Sequence, residues 1–301
     1  MQKAALAEDS NSETDPRWTL IKQKANEAKA VRAFELFRAH GLDPILIKGV
    51  AAALNYPTSQ FRDSVDLDLA VDPDEFYRAN ELIHSPAAVG LSIDLHRGLR
   101  HLDLLDWADL YDNSIETELG EGTIRVLRPE DHLRILCVHW LTDGGANRHR
   151  LWDIYYAIEN RPIDFDWDRC LKSAGPRRHR WIECTAAMAS RSLGLDLSDT
   201  PLKGAEGRLP TWFVSTVESE WSDKTLFRPL RDSMDDLPTF LRQLRKRLPP
   251  NPIAATVLQN GSLDARTRIF YQLGSMASRS GRSLISIFEG LRARFSKGTA
   301  E

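Results

Sequence analysis

The chain has 301 residues, 42% of them hydrophobic and 28% charged, with a formal net charge of −3, which describes an ordinary globular protein large enough for two domains and excludes a strongly basic polyanion binder. Its three cysteines, Cys137, Cys170 and Cys184, are odd in number and widely spaced, which excludes a disulfide framework and a Cys-x-x-Cys zinc site. There is no apolar signal stretch in Met1 to Asp15 and no uninterrupted apolar run of about 18 residues, so a cytoplasmic protein without a transmembrane segment is expected.

Residues 1–15 read as a disordered tail. Pro16 suits the first turn of a long helix that ends near Gly41. Pro44-Ile45-Leu46-Ile47 is an aliphatic run too short for a helix, and Lys48-Gly49 closes it as a tight turn. A short helix over Ala51 to Leu54 follows, then a loop with Tyr56, Pro57, Arg62 and Asp63. From Val65 to Val71 acids alternate with aliphatics, so Asp66 and Asp68 point to one face of a strand while Leu67 and Leu69 point to the other. Alone, that pattern reads as an edge strand with a solvated acidic face.

Asp72-Pro73-Asp74-Glu75 provides a cap, a proline and first-turn acids for a helix reaching about His84. Ser92 to His96 alternates again as a third strand and adds Asp94. Thr123 to Leu127 reads as a further strand, and Arg128-Pro129-Glu130-Asp131 opens a helix. Helical spacing recurs over Leu151 to Ile158 and Pro176 to Leu193, and Gly194 to Pro210 is a candidate break. The expected fold is α+β: a small mixed β-sheet core flanked by helices over 16–127, a helical subdomain over 128–200, and a mainly helical C-terminal region over 201–301.

Lys48-Gly49 after one strand, Asp66 and Asp68 on the next and Asp94 on a third form a constellation. Three carboxylates converging in a partly desolvated site repel one another unless cations neutralise them. Hard oxygens suit magnesium completed by substrate phosphates, with manganese a substitute, and two ions about 4 Å apart would serve nucleotidyl transfer. A nucleoside triphosphate, ATP favoured, supplies those phosphate oxygens.

The order of elements resembles the nucleotidyltransferase superfamily related to DNA polymerase beta, and more closely an uncharacterised bacterial nucleotidyltransferase family. Leu46-Ile47-Lys48-Gly49, Tyr56-Pro57, Arg62, Asp66 to Val71, Asp94-Leu95-His96, Arg128 to Leu133, His139 and Trp152-Asp153 carry the likeness, over roughly residues 40 to 195. The resemblance implies a magnesium-dependent enzyme that moves a nucleoside monophosphate to a hydroxyl of a small molecule or peptide and releases pyrophosphate. It implies that Asp66 and Asp68 hold both ions and that Asp94 completes the catalytic ion's shell and helps to deprotonate the acceptor. Gly49 then admits the triphosphate to the backbone, and Lys48 and Arg62 face its phosphates.

His96 shares a face with Asp94 and is a candidate for the acceptor, as are His139, Arg150 and Asp153. His132 and His139 lack the four-residue spacing of a helical zinc site, so hydrogen bonding or packing is their expected role. A stripe of Leu284, Phe288, Leu291 and Phe295 runs beside Arg282, Arg292, Arg294 and Lys297 and reads as a helix packed on the domain. Arg177 to Arg180 is a short basic run without an aromatic stacking module, a weak nucleic-acid signal. The alternatives are an inactive nucleotide-binding or partner-binding protein on this fold and, after it, a nucleic-acid binder. The acceptor, the base and the oligomeric state are not written in the sequence.

Overall fold

The computed structural model describes residues 16–58, 60–62, 64, 66–99, 104–223 and 236–278. The expected tail over 1–15, Asp63, Val65 and the basic stripe between Arg282 and Lys297 lie outside the described residues. The chain falls into two compact units, one drawn from Met1–Leu136 and Tyr156–Ser173, the other from Cys137–Tyr155 and Ala174–Glu301.

In the first unit, α1 spans Pro16–Ala39. Ala30, Ala33, Phe34 and Phe37 recur at helical spacing and are buried, giving it one apolar stripe. It ends in a Schellman motif, with Gly41 at φ 68 and the amides of Gly41 and Leu42 donating to the carbonyls of Arg38 and Phe37. Strand β1, Ile45–Leu46, and helix α2, Val50–Ala53, follow. Next come β2, Leu67–Val71, α3, Phe76–Ile83, and β3, Ile93–Arg97. Then α4, Trp107–Asp112, leads into a hairpin of β4, Ile115–Leu119, and β5, Gly122–Val126, whose two-residue loop starts with Gly120 at φ 58.

The strands form one mixed sheet in the order β3-β2-β1-β5-β4. Strand β2 is antiparallel to β1 and parallel to β3, and β1 is parallel to β5. One face, with Leu46, Leu67, Leu69, Val71 and Ile124, packs with α1, α2 and α3. The other, with Ile45, Ile47 and Ala70, packs with Leu110 of α4 and Ile135 of α5, Pro129–Thr142. Alternation in β1 and β2 thus feeds two cores, and the α+β class is as expected.

Three expectations change. Read alone, the pattern suggests an edge strand, but the acidic strand is interior, between β1 and β3, and β3 is the edge; Leu67, Leu69 and Val71 enter one core and Ala70 the other. The regular strand begins at Leu67, with Asp66 in the bend before it. The third change is at α4 and β4, absent from the sequence-based expectation. Strand β4 is exposed over Ile115, Glu116 and Glu118, so it lacks the buried alternation by which strands are recognised.

The second unit is helical among its described residues. It takes in the end of α5, most of α6, Leu151–Glu159, and α8, Gly175–Leu193; α7, Trp167–Leu171, belongs to the first unit. Helices α9, Thr211–Ser222, α10, Leu237–Arg247, and α11, Pro252–Leu258, complete it with a helical stretch over 269–278. The buried Trp140 and Phe213 rings pack at 6.3 Å, and the buried Trp181 donates its indole N–H to the Gly261 carbonyl. Satisfying each indole N–H lets these large side chains be buried without a polar penalty.

Candidate functional site

Parallel register places Asp68 opposite Asp94 and Ala70 opposite His96, so Asp68, Asp94 and His96 share one face of β2 and β3 while Leu67, Leu69, Ile93 and Leu95 hold the other in the core. His96 Nε2 lies 3.3 Å from Asp68 Oδ1 and 3.4 Å from Asp94 Oδ2. Lys48 Nζ, from the turn after β1, lies 2.6 Å from Asp68 Oδ1. Burial pushes the Asp68 carboxyl up, but hydrogen bonds from His96 and Lys48 and their charges outweigh it and hold the group below its ordinary value. Asp68 is therefore an anion at neutral pH.

The turn is built around Gly49, at φ 62 and ψ −112. A Cβ there would stand 2.6 Å from Ser64 Oγ and 3.4 Å from the Asp66 carbonyl oxygen, so both conformation and close approach require glycine. Ser64 and Asp66 crowd its open side. Ser64 donates to the Asp66 carbonyl, and the Ser92 hydroxyl donates to the Asp66 carboxylate.

Ligand atoms of Asp68, Asp94 and His96 all lie within 4.8 Å of one another. Two carboxylates and an imidazole, with one lysine beside Asp68, form a donor set that fits a divalent cation. Asp66 is outside that group among the described residues. The two serines that orient its backbone and side chain were missed by sequence reasoning, although Ser92, Asp94 and His96 follow the same alternation. Arg62 lines a pocket with Gln23, Asn26, Glu27, Val50 and Leu54 on the α1 and α2 side.

His139, Arg150 and Asp153 fall in the second unit. Arg150 donates to His139 Nε2 at 2.7 Å and also pairs with Asp143. Asp153 is buried in α6. His132, on the first-unit part of α5, is buried.

Acids at the start of α5 are also matched to cations. Arg128 donates to Glu130 at 2.7 Å, and Glu130 accepts the backbone amide of Asp166. Buried Asp131 accepts from Arg169 at 2.7 and 3.0 Å and from Arg134 at 3.4 Å, and Arg169 also reaches Asp109 at 2.8 Å.

A family model described as an uncharacterised nucleotidyltransferase matches residues 15–193. No curated protein and no solved structure gives a significant match. No helix among the described residues is long and apolar enough to cross a membrane.

Proposed function

The chain belongs to the family of uncharacterised nucleotidyltransferases, and from that premise we propose that it transfers a nucleoside monophosphate from a triphosphate to a hydroxyl of a small molecule or peptide. The observation that carries this reading is the convergence of Asp68, Asp94 and His96 within 4.8 Å beside the Lys48-Gly49 turn. The acceptor oxygen bonds to the α-phosphorus, the bond to the β-phosphate oxygen breaks, and pyrophosphate departs with the bonding pair. The hydroxyl proton passes to Asp94, whose side chain is 62% exposed and open to an incoming substrate.

Asp68 and Asp94 would hold a divalent cation, and Asp66 would join Asp68 in holding a second. Bound there, such ions supply Lewis acidity that acidifies the acceptor and offsets charge on the departing pyrophosphate. Lys48, already the countercharge of Asp68, would add positive charge toward the phosphates; Arg62, which lines a pocket on the α1 and α2 side, would have to turn toward them to do the same. The chemistry is assigned to the 16–127 core.

The test incubates purified protein with magnesium or manganese, each α-labelled nucleoside triphosphate and a cell extract, then identifies the labelled product by mass spectrometry. Pyrophosphate is measured in parallel. Transfer by the wild type, lost in a folded Asp68→Asn, supports the assignment. Full turnover in Asp68→Asn would remove Asp68 from the site.

A further inference from the structure

His96 changes which cation the acid group suits. Its partner across the register is Ala70, a small side chain on the same face as Asp68. His96 Nε2 faces both carboxylates, at 3.3 and 3.4 Å. Charge-assisted N–H···O bonds are shorter, about 2.7–2.9 Å, so without an ion the contact of Nε2 with Asp68 is a long hydrogen bond that a cation can replace. The two separations from Nε2 are also those of donors arranged about a shared centre. Ligands about 2.1 Å from one ion stand roughly 3.0 Å apart at octahedral angles and roughly 3.4 Å apart at tetrahedral ones.

We infer that His96 Nε2 is a metal ligand and that Asp68, Asp94 and His96 take a divalent first-row transition ion of the manganese class in preference to magnesium. Magnesium favours oxygen and keeps its waters, whereas imidazole suits transition ions. This deepens the nucleotidyl-transfer reading and rests on it only for the presence of a divalent ion. The nitrogen donor is what selects the metal. Lys48 takes one lone pair of Asp68 Oδ1 at 2.6 Å and leaves the other carboxylate positions for the ion.

The experiment titrates the metal-free full chain with manganese(II) and follows binding by electron paramagnetic resonance, with electron spin echo modulation to detect a coordinated nitrogen-14. The wild type should show nitrogen coupling that disappears in His96→Gln. Manganese affinity should fall about tenfold or more in that variant, while magnesium affinity, measured by competition, changes less. Circular dichroism checks that the variant is folded. Bound manganese without nitrogen coupling, coupling that survives in His96→Gln, no manganese binding, or magnesium competing on equal terms would each overturn the inference. Nitrogen-coupled manganese without nucleotidyl transfer would keep the metal site and remove the transfer reading. Transfer with magnesium at a nitrogen-free site would do the reverse.

Discussion

Two groups of acids in the first unit have opposite electrostatics. At the head of α5, Glu130 is matched by Arg128, Asp131 by Arg134 and Arg169, and Asp109 by Arg169. On β2 and β3, Asp68 and Asp94 share one lysine and a histidine. The centre of the matched group is deep, with Asp131 at 0% and Arg134 at 2% exposure, although Asp109 at its rim keeps 41% side-chain exposure, whereas in the other group the Asp94 side chain is 62% exposed. Ionised groups persist in a core only when paired and hydrogen-bonded. An under-neutralised pair of acids that spans β2 and the edge strand β3, with Asp94 open to solvent, can recruit a cation. Charge balance and burial together separate the structural acids from the candidate catalytic ones.

The largest expected effect tests the structural side. Asp131→Asn leaves the guanidinium groups of Arg134 and Arg169 under-compensated and should cost about 3–5 kcal/mol of unfolding free energy, read by denaturant titration. Nucleotidyl transfer per folded molecule should be unchanged. A cost below about 1 kcal/mol, within the range of exposed pairs, would erase the distinction between the groups.

Asp94→Asn should do the opposite. Removing charge from an exposed member of the unmatched group relieves repulsion with Asp68, so stability should stay within about 0.5 kcal/mol of wild type or rise. Turnover should fall by about a hundredfold or more, the scale of losing a transition-state electrostatic or proton-transfer partner. Destabilisation comparable to that of Asp131→Asn would make Asp94 a structural residue.

How far this contrast was legible depends on where each partner lies. Alternation in Asp66-Leu67-Asp68-Leu69 and in Asp94-Leu95-His96 set acids on one face and core on the other, and the structure keeps that division from Leu67 onward. The pairing of Asp68 with Asp94 depends on long-range register, which no local pattern fixes. Glu130 and Asp131 read as acids in a helix's first turn, where a dipole account suffices. Their further work depends on Arg169, 38 residues after Asp131, and on the Asp166 amide. Strand β4 was missed because only Ile115 and Leu119 supply its apolar positions.

Asp43 provides an intermediate case. It accepts from Arg38, Arg125 and Tyr111 at 2.7–2.8 Å, but its side chain keeps 24% exposure. Burial pushes its carboxyl up, and the hydrogen bonds from Tyr111, Arg38 and Arg125 outweigh that and hold it below its ordinary value. The stabilisation is therefore complete above the ordinary carboxylate pKa of about 4 and is lost as pH falls through the lower folded value. Asp43→Asn should cost about 1–3 kcal/mol at pH 7. Its unfolding free energy should also decline less than that of wild type as pH falls below about 4. Parallel pH profiles would remove Asp43 from the matched class.

The smallest effect bears on the unmatched group itself, through its one strong cation. Lys48 Nζ sits on Asp68 Oδ1 at 2.6 Å with only 13% side-chain exposure, so a divalent ion that takes Asp68 meets a positive charge already beside it. Replacing that charge by a neutral chain of similar length, Lys48→Met, removes a repulsion worth about 1 kcal/mol even at a dielectric near that of water. Manganese affinity without nucleotide should therefore rise roughly fivefold, while transfer falls if Lys48 also faces the phosphates. An unchanged manganese affinity would mean that the lysine leaves Asp68 without cost when the ion arrives. The group would then behave as fully unmatched, and the contrast with α5 would be larger than the static ion pairs indicate.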